Sequence, residues 1–205
     1  MKLNSFINTI NLIISCSYIY GWCVNSNIIL RLLKPIPVFL MMIQVYWSKL
    51  LTYAFLTAMI GDIMLMSDEL ILFLLGMISF GLTHLLLLKF MNVSQFTIGF
   101  INKLIIPIII LLMLIGQYYQ IPIILSLSMS CYGSLLLLTM IISWYTDKKI
   151  FQGMLCFVIS DTLLAIDQFF IKVSYSCIYI ITLYWTAMYL ISKTTYSKPE
   201  IKNKE

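Results

Sequence analysis

Charge is scarce in this sequence. Only 10% of its 205 residues are Asp, Glu, Lys or Arg, against 61% hydrophobic, and the mean hydropathy is +0.99. A soluble domain of this size carries about 25% charged and about 45–50% apolar residues, so a water-solvated surface cannot be assembled from this chain. Histidine is rarer still: His84 stands alone, and one histidine does not make a metal constellation. The five cysteines, Cys16, Cys23, Cys131, Cys156 and Cys177, are odd in number and lack a CxxC pair. That argues against a disulfide framework or a zinc site and leaves them as small hydrophobes within helices. No GxSxG, HExxH, P-loop or dinucleotide fingerprint occurs, so serine hydrolysis, zinc hydrolysis and nucleotide use have no positive support. No linker long enough to divide domains and no internal repeat is visible, which weighs against a transporter built from duplicated halves.

What is abundant is long apolar runs. Where lipid is the solvent, backbone amides must be satisfied within the segment, and runs of about 20 residues favour helices over the alternating strands of a barrel. The predicted fold is all-α, a polytopic membrane bundle of eight transmembrane helices over 5–23, 34–47, 49–66, 69–90, 99–116, 120–143, 150–170 and 173–192. These form one domain, 1–192, followed by a basic tail at 193–205. The first run has only Lys2 before it and no A-x-A-like cleavage site after it, so it is expected to be a retained span. The second is short and opens on Lys34-Pro35-Ile36-Pro37. Proline suits a first helical turn, and the second and third runs could fuse into one broken element, leaving seven spans.

Eight spans place Lys2, Lys49, Lys89, Lys103, Lys148, Lys149, Lys193, Lys198, Lys202 and Lys204 on one face, with Arg31, Lys34 and Lys172 on the other. The positive-inside rule then puts both termini in the cytoplasm, in the endoplasmic reticulum of a eukaryote or the plasma membrane of a bacterium. Trp47, Trp144 and Trp185, with Tyr46, Tyr118, Tyr119, Tyr145 and Tyr184, mostly fall near span ends. That placement predicts an interfacial belt, an anchor to lipid and not a surface for nucleic acid.

An ionised side chain inside a span costs roughly 2.5–3.5 kcal/mol even on the insertion scale, so each one raises a functional hypothesis. Asp62 follows Gly61, and Ala54, Ala58 and Gly61 recur at a spacing that lets a neighbouring helix come close. Its carboxyl therefore belongs to an inward face, serving either chemistry or a structural hydrogen bond. Asp161 follows Ser160 near the middle of the seventh span, the deepest carboxylate in the sequence and a candidate general acid. Asp167 lies about 240° round the helix from it, where an end-of-helix carboxylate is expected. His84 closes a helical stripe of Phe73, Met77, Phe80 and Gly81. A buried core histidine is the ordinary reading of such a residue; lining of a pocket, ahead of a direct catalytic role, is the functional one.

At these residues the sequence resembles the YhhN family, which includes the transmembrane protein 86 group of lysoplasmalogenases. The resemblance rests on Lys34-Pro35, Gly61-Asp62, Phe73 to Gly81 with His84, and Ser160-Asp161 with Leu164-Ala165 and Phe169, in family order over roughly residues 30 to 190. The chain departs from the pattern at Leu87, where a tyrosine is expected, and at Met188, where glutamine commonly follows alanine. The resemblance implies hydrolysis of the vinyl ether bond of a lysoplasmalogen, a lysophospholipid, to a fatty aldehyde and glycerophospho-ethanolamine or -choline. No metal or organic cofactor is implied. One acid and one base suffice for such chemistry, and two buried carboxyls can divide the roles. Asp62 and Asp161 are therefore expected to face one cavity as the catalytic pair. Lys34 would meet the lipid phosphate, or else snorkel to the headgroups, and His84 and Tyr132 would line the cavity.

Intramembrane aspartyl proteases also use two aspartates on neighbouring helices, but they carry a Gly-x-Gly-Asp run, and this chain has Met59-Ile60-Gly61-Asp62. A transporter or proton- or cation-coupled carrier using the same buried Asp and His is the main non-enzymatic alternative. A membrane interaction protein that keeps the pattern without the activity is a third.

Overall fold

The computed structural model describes residues 2–23, 33–67, 69–92 and 95–194. Among these, eight helices and no strand follow in order: α1 (Lys2–Cys23), α2 (Ile36–Gln44), α3 (Lys49–Met64), α4 (Leu70–Phe90), α5 (Gln95–Tyr118), α6 (Ile123–Thr146), α7 (Lys148–Phe169) and α8 (Ser176–Ser192). Each matches one predicted apolar run to within a few residues. Arg31, Asp68 and residues 195–205, which hold the basic tail beyond its first two residues, lie outside the described residues.

Among the described residues, α4, α6 and α7 are long and apolar enough to cross a membrane; Ile106–Tyr118 within α5 and the whole of α8 are apolar but shorter. Eight crossings do not follow from these lengths. Helix α2 has nine residues, a rise of about 13 Å against a hydrocarbon core of about 30 Å. Nor do α2 and α3 fuse: α2 ends in a turn at Val45, and Ser48 starts α3 afresh by accepting the Leu51 amide on its side chain. Pro35 and Pro37 open α2, where a missing amide proton costs nothing. Asp147 ends α6 and caps α7, its carboxylate accepting the amides of Lys149 at 2.8 Å and Ile150 at 2.9 Å.

The helices are patterned inside out relative to those of a water-soluble protein. On α4 the exposed positions include Ile71, Ile78, Leu82 and Leu85, while Ser79, Thr83 and His84 are buried. Apolar side chains outward and polar groups inward is the arrangement lipid selects, since only other helices can satisfy a hydroxyl there. Ser79 donates to the Thr57 carbonyl at 2.7 Å and Thr83 meets the Thr57 hydroxyl at 2.9 Å, tying α4 to α3. Ser160 donates to the Ile180 carbonyl at 3.0 Å, tying α7 to α8. These two pairs of helices pack most extensively. Gly153 explains the closeness of the second pair, because a Cβ there would stand 2.8 Å from the Ala187 carbonyl oxygen.

The predicted aromatic belt needs one correction. Tyr46, Trp47, Tyr118, Tyr119, Trp144 and Tyr145 are exposed near helix ends, but Tyr184 and Trp185 are 4% and 6% exposed and belong to the core. They sit mid-helix in α8, on the face turned to the bundle, where ring area is worth more against other side chains than at the headgroups.

Candidate active site

Gly61 and Asp62 act as a pair. A Cβ on Gly61 would lie 2.7 Å from the Phe80 ring, so only glycine lets the α4 aromatic close on α3. Ala54, Ala58 and Gly61 are all buried, as their spacing predicts. Asp62, one residue on and 2% exposed, faces the bundle. Its Oδ2 accepts the Tyr184 hydroxyl of α8 at 2.7 Å. Tyr184 is held in turn by edge-to-face contacts with Phe80 and Phe157, at 5.9 and 5.4 Å between ring centroids, a geometry that fixes ring orientation.

Asp161 repeats the arrangement from the other side. The Ser160 bond to α8 sets the rotation of α7, and the next residue, Asp161, accepts on its Oδ2 a hydrogen bond from the Tyr132 hydroxyl of α6. Four helices thus bring two tyrosine–aspartate pairs to one place. Asp62, Asp161, Tyr132 and Tyr184 line a single cavity of about 310 Å³ whose wall is otherwise mainly apolar, and Lys34 lines it as well. Lys34 lies within electrostatic range of both carboxyls, and the carboxyls lie within range of each other. In so apolar a surround, charge separations act across a low effective dielectric and are felt strongly.

Four of the five predicted site residues, Lys34, Asp62, Tyr132 and Asp161, therefore meet at one cavity. His84 is not among the residues that line it. It stands one layer behind, fully buried, 5.8 Å from the Tyr132 ring and 5.0 Å from the Phe157 ring between centroids. Neither of its ring nitrogens has a hydrogen-bond partner among the described residues. The sequence reading missed Tyr184, which it placed in the aromatic belt. The signal for it was position and not residue type: Tyr184 lies eight residues past the start of the helix, too deep for an interfacial anchor. Asp167 is where its phase predicts, at the end of α7, accepting the Val173 amide at 2.8 Å and facing Lys172 at 3.7 Å.

Chemically, the site offers two carboxyls able to exchange protons, two phenols that orient them and one lysine on the cavity wall. Such a set can donate a proton to a substrate, stabilise a cation and activate water. Among the described residues no three His, Cys, Asp or Glu side chains gather as a protein-built metal cage requires. The family model of the YhhN family matches residues 30–195 of the chain. No curated protein matches it, and no solved structure does.

Proposed function

The chain belongs to the YhhN family, and on that premise we propose that it is a multi-pass membrane lysoplasmalogenase, with both termini cytoplasmic, that hydrolyses the vinyl ether bond of a lysoplasmalogen. The observation that carries the reading is the meeting of two tyrosine-paired carboxyls and a lysine in one mainly apolar cavity. A single-chain lysolipid matches that cavity in kind: an apolar tail, an acid-sensitive bond and a phosphate for Lys34.

The reaction needs a proton first. One carboxyl, protonated, delivers it to the vinyl carbon remote from the ether oxygen, leaving an oxocarbenium-like cation on the other vinyl carbon. The second carboxyl, ionised, stabilises that cation and takes a proton from the water that adds to it. The resulting hemiacetal collapses, the carbon–oxygen bond breaks, and the glycerol oxygen leaves with a proton as the aldehyde forms. The division of labour parallels that of the two carboxyls in glycoside hydrolysis. Tyr132 and Tyr184 hold the carboxyls in position, and the apolar wall keeps the nascent charge from being quenched by bulk water.

Aldehyde release from lysoplasmenylethanolamine and lysoplasmenylcholine by the purified protein in detergent, beside Asp161→Asn, tests this. Turnover in the wild type and its loss in the variant is the expected result. A folded wild type that releases no aldehyde would overturn the activity for these substrates, and substrate movement without a chemical product would point to a carrier.

A further inference from the structure

We propose that the cavity opens on the membrane face opposite the basic connectors, so that the lysolipid is taken from the non-cytoplasmic leaflet. The inference rests on the multi-pass reading with cytoplasmic termini, and it concerns the side from which the site is reached, not the chemistry performed there.

On the multi-pass reading successive helices run in alternating directions, which puts the ends of α3, α5 and α7 on one face with the starts of α4, α6 and α8. The lining of the cavity comes from that half of the bundle. Leu65 follows α3, Phe73 lies in the first turn of α4, Ile115 in the last turns of α5, Ile121 and Ser126 flank the start of α6, and Phe170 follows α7. Residues 49–61, 81–90, 138–157 and 185–194, which hold the opposite ends of α3, α4, α6, α7 and α8, contribute none of it. Asp161 lies eight residues before the end of α7 and Tyr184 eight after the start of α8, each a rise of about 12 Å. Asp62 is only two residues from the end of α3, about 3 Å along the axis. The acids therefore sit in the same half as the mouth, within a hydrocarbon core of about 30 Å.

The other face carries the lysines. Lys49, Lys89, Lys148, Lys149 and Lys193 lie at the ends of helices away from the cavity, and by the positive-inside rule that face is cytoplasmic. Lys34, before the start of α2, and Lys172, between α7 and α8, are the exceptions, and of the two Lys34 lines the cavity. A lysolipid entering from the non-cytoplasmic side would present its phosphate to Lys34 while its ether bond lay between the carboxyls.

Site-directed thiol labelling in sealed vesicles decides the question. Ala165→Cys and, separately, Met129→Cys place a thiol on the cavity wall, and Lys149→Cys, at an exposed position, marks the basic face. Each is made in a chain whose native cysteines are alanine and, in parallel, in the wild-type chain with the signal read as excess over wild type. A charged, membrane-impermeant thiosulfonate is added from one side at a time. The expected result is that both cavity thiols react from the face opposite Lys149→Cys and do not react from its own face, and that added lysolipid protects them. Reaction from the Lys149→Cys face overturns the proposal. So does a lack of reaction at both cavity positions from either side while Lys149→Cys reacts. Labelling needs no turnover, so its failure leaves the hydrolase reading standing, and a protein that labels as expected but releases no aldehyde refutes only the latter.

Discussion

The two halves of this bundle are made by the same helices and packed to opposite ends. Toward the basic face, Leu51 and Phe55 of α3, Ile150 and Met154 of α7, and Met188 and Ile191 of α8 are essentially inaccessible, with Val38 of α2 closing the cluster. Toward the other face, α3, α7 and α8 contribute Asp62, Asp161 and Tyr184 to a cavity. Close packing and open space are therefore distributed by small residues and side-chain size along each helix, not by helix choice. Gly153 draws α7 onto α8 at the packed half. Beyond it lies the cavity, whose mainly apolar wall carries the two carboxyls and their phenol partners. A half-buried hydrogen bond of 2.6 Å, donated by Lys193 Nζ just after α8 to the Gln44 side-chain oxygen, ties the end of α8 to the end of α2.

The comparison breaks most sharply at the carboxyls. Asp161→Asn and Asp62→Asn each remove a proton donor or acceptor while keeping shape, and turnover is expected to fall by about 10²–10⁴-fold with little change in thermal stability. A fall below tenfold in either variant would remove that residue from the chemistry. In the packed half the opposite outcome is expected. Met154→Ala should lower stability by about 2–5 kcal/mol through an unfilled void, read as a lower unfolding temperature in detergent, while the turnover of the folded fraction is kept. Turnover lost in proportion to Asp161→Asn would mean the halves are not separable.

Gly61→Ala tests the boundary between them, since the added methyl meets the Phe80 ring. A loss of about 1–3 kcal/mol is expected, and with it a displaced Asp62 and reduced turnover; an unchanged protein would show that α3 and α4 can slide apart freely. An effect of similar size, without the steric displacement, is expected at the phenols. Tyr184→Phe and Tyr132→Phe each remove a hydrogen bond to a carboxyl, worth about 1–3 kcal/mol, and should weaken turnover more than lysolipid binding. A variant that binds poorly but turns over normally would make the tyrosine a substrate contact and not an orienting group.

Much of this was legible beforehand. The apolar runs mark the helices because a span must satisfy its own backbone, and a carboxyl within such a run is conspicuous because it is costly there. Asp62 beside Gly61 and Asp161 beside Ser160 could be picked out for that reason. Tyr184 could not be separated from Tyr145 or Tyr119 by type, because an amphipathic ring serves equally as an interfacial anchor or a buried donor. His84 could be identified as buried, yet whether it touched the cavity or stood behind Tyr132 depends on the rotation of α4 against α6, on which the sequence is silent.

The apolar runs, the helical class, the helix boundaries to within a few residues and the short list of groups able to carry charge in an apolar interior could all be read from the sequence alone. Each follows from local composition and from the cost of unpaired polar groups in lipid. Only the tertiary structure decided which carboxyl meets which phenol, that both pairs share one cavity, and that this cavity lies in one half of the bundle. Those depend on helix rotations and depths set by side chains far apart in the chain, Gly61 against Phe80 and Gly153 against Ala187 among them, and the packing that fixes them is a property of pairs that no single segment contains.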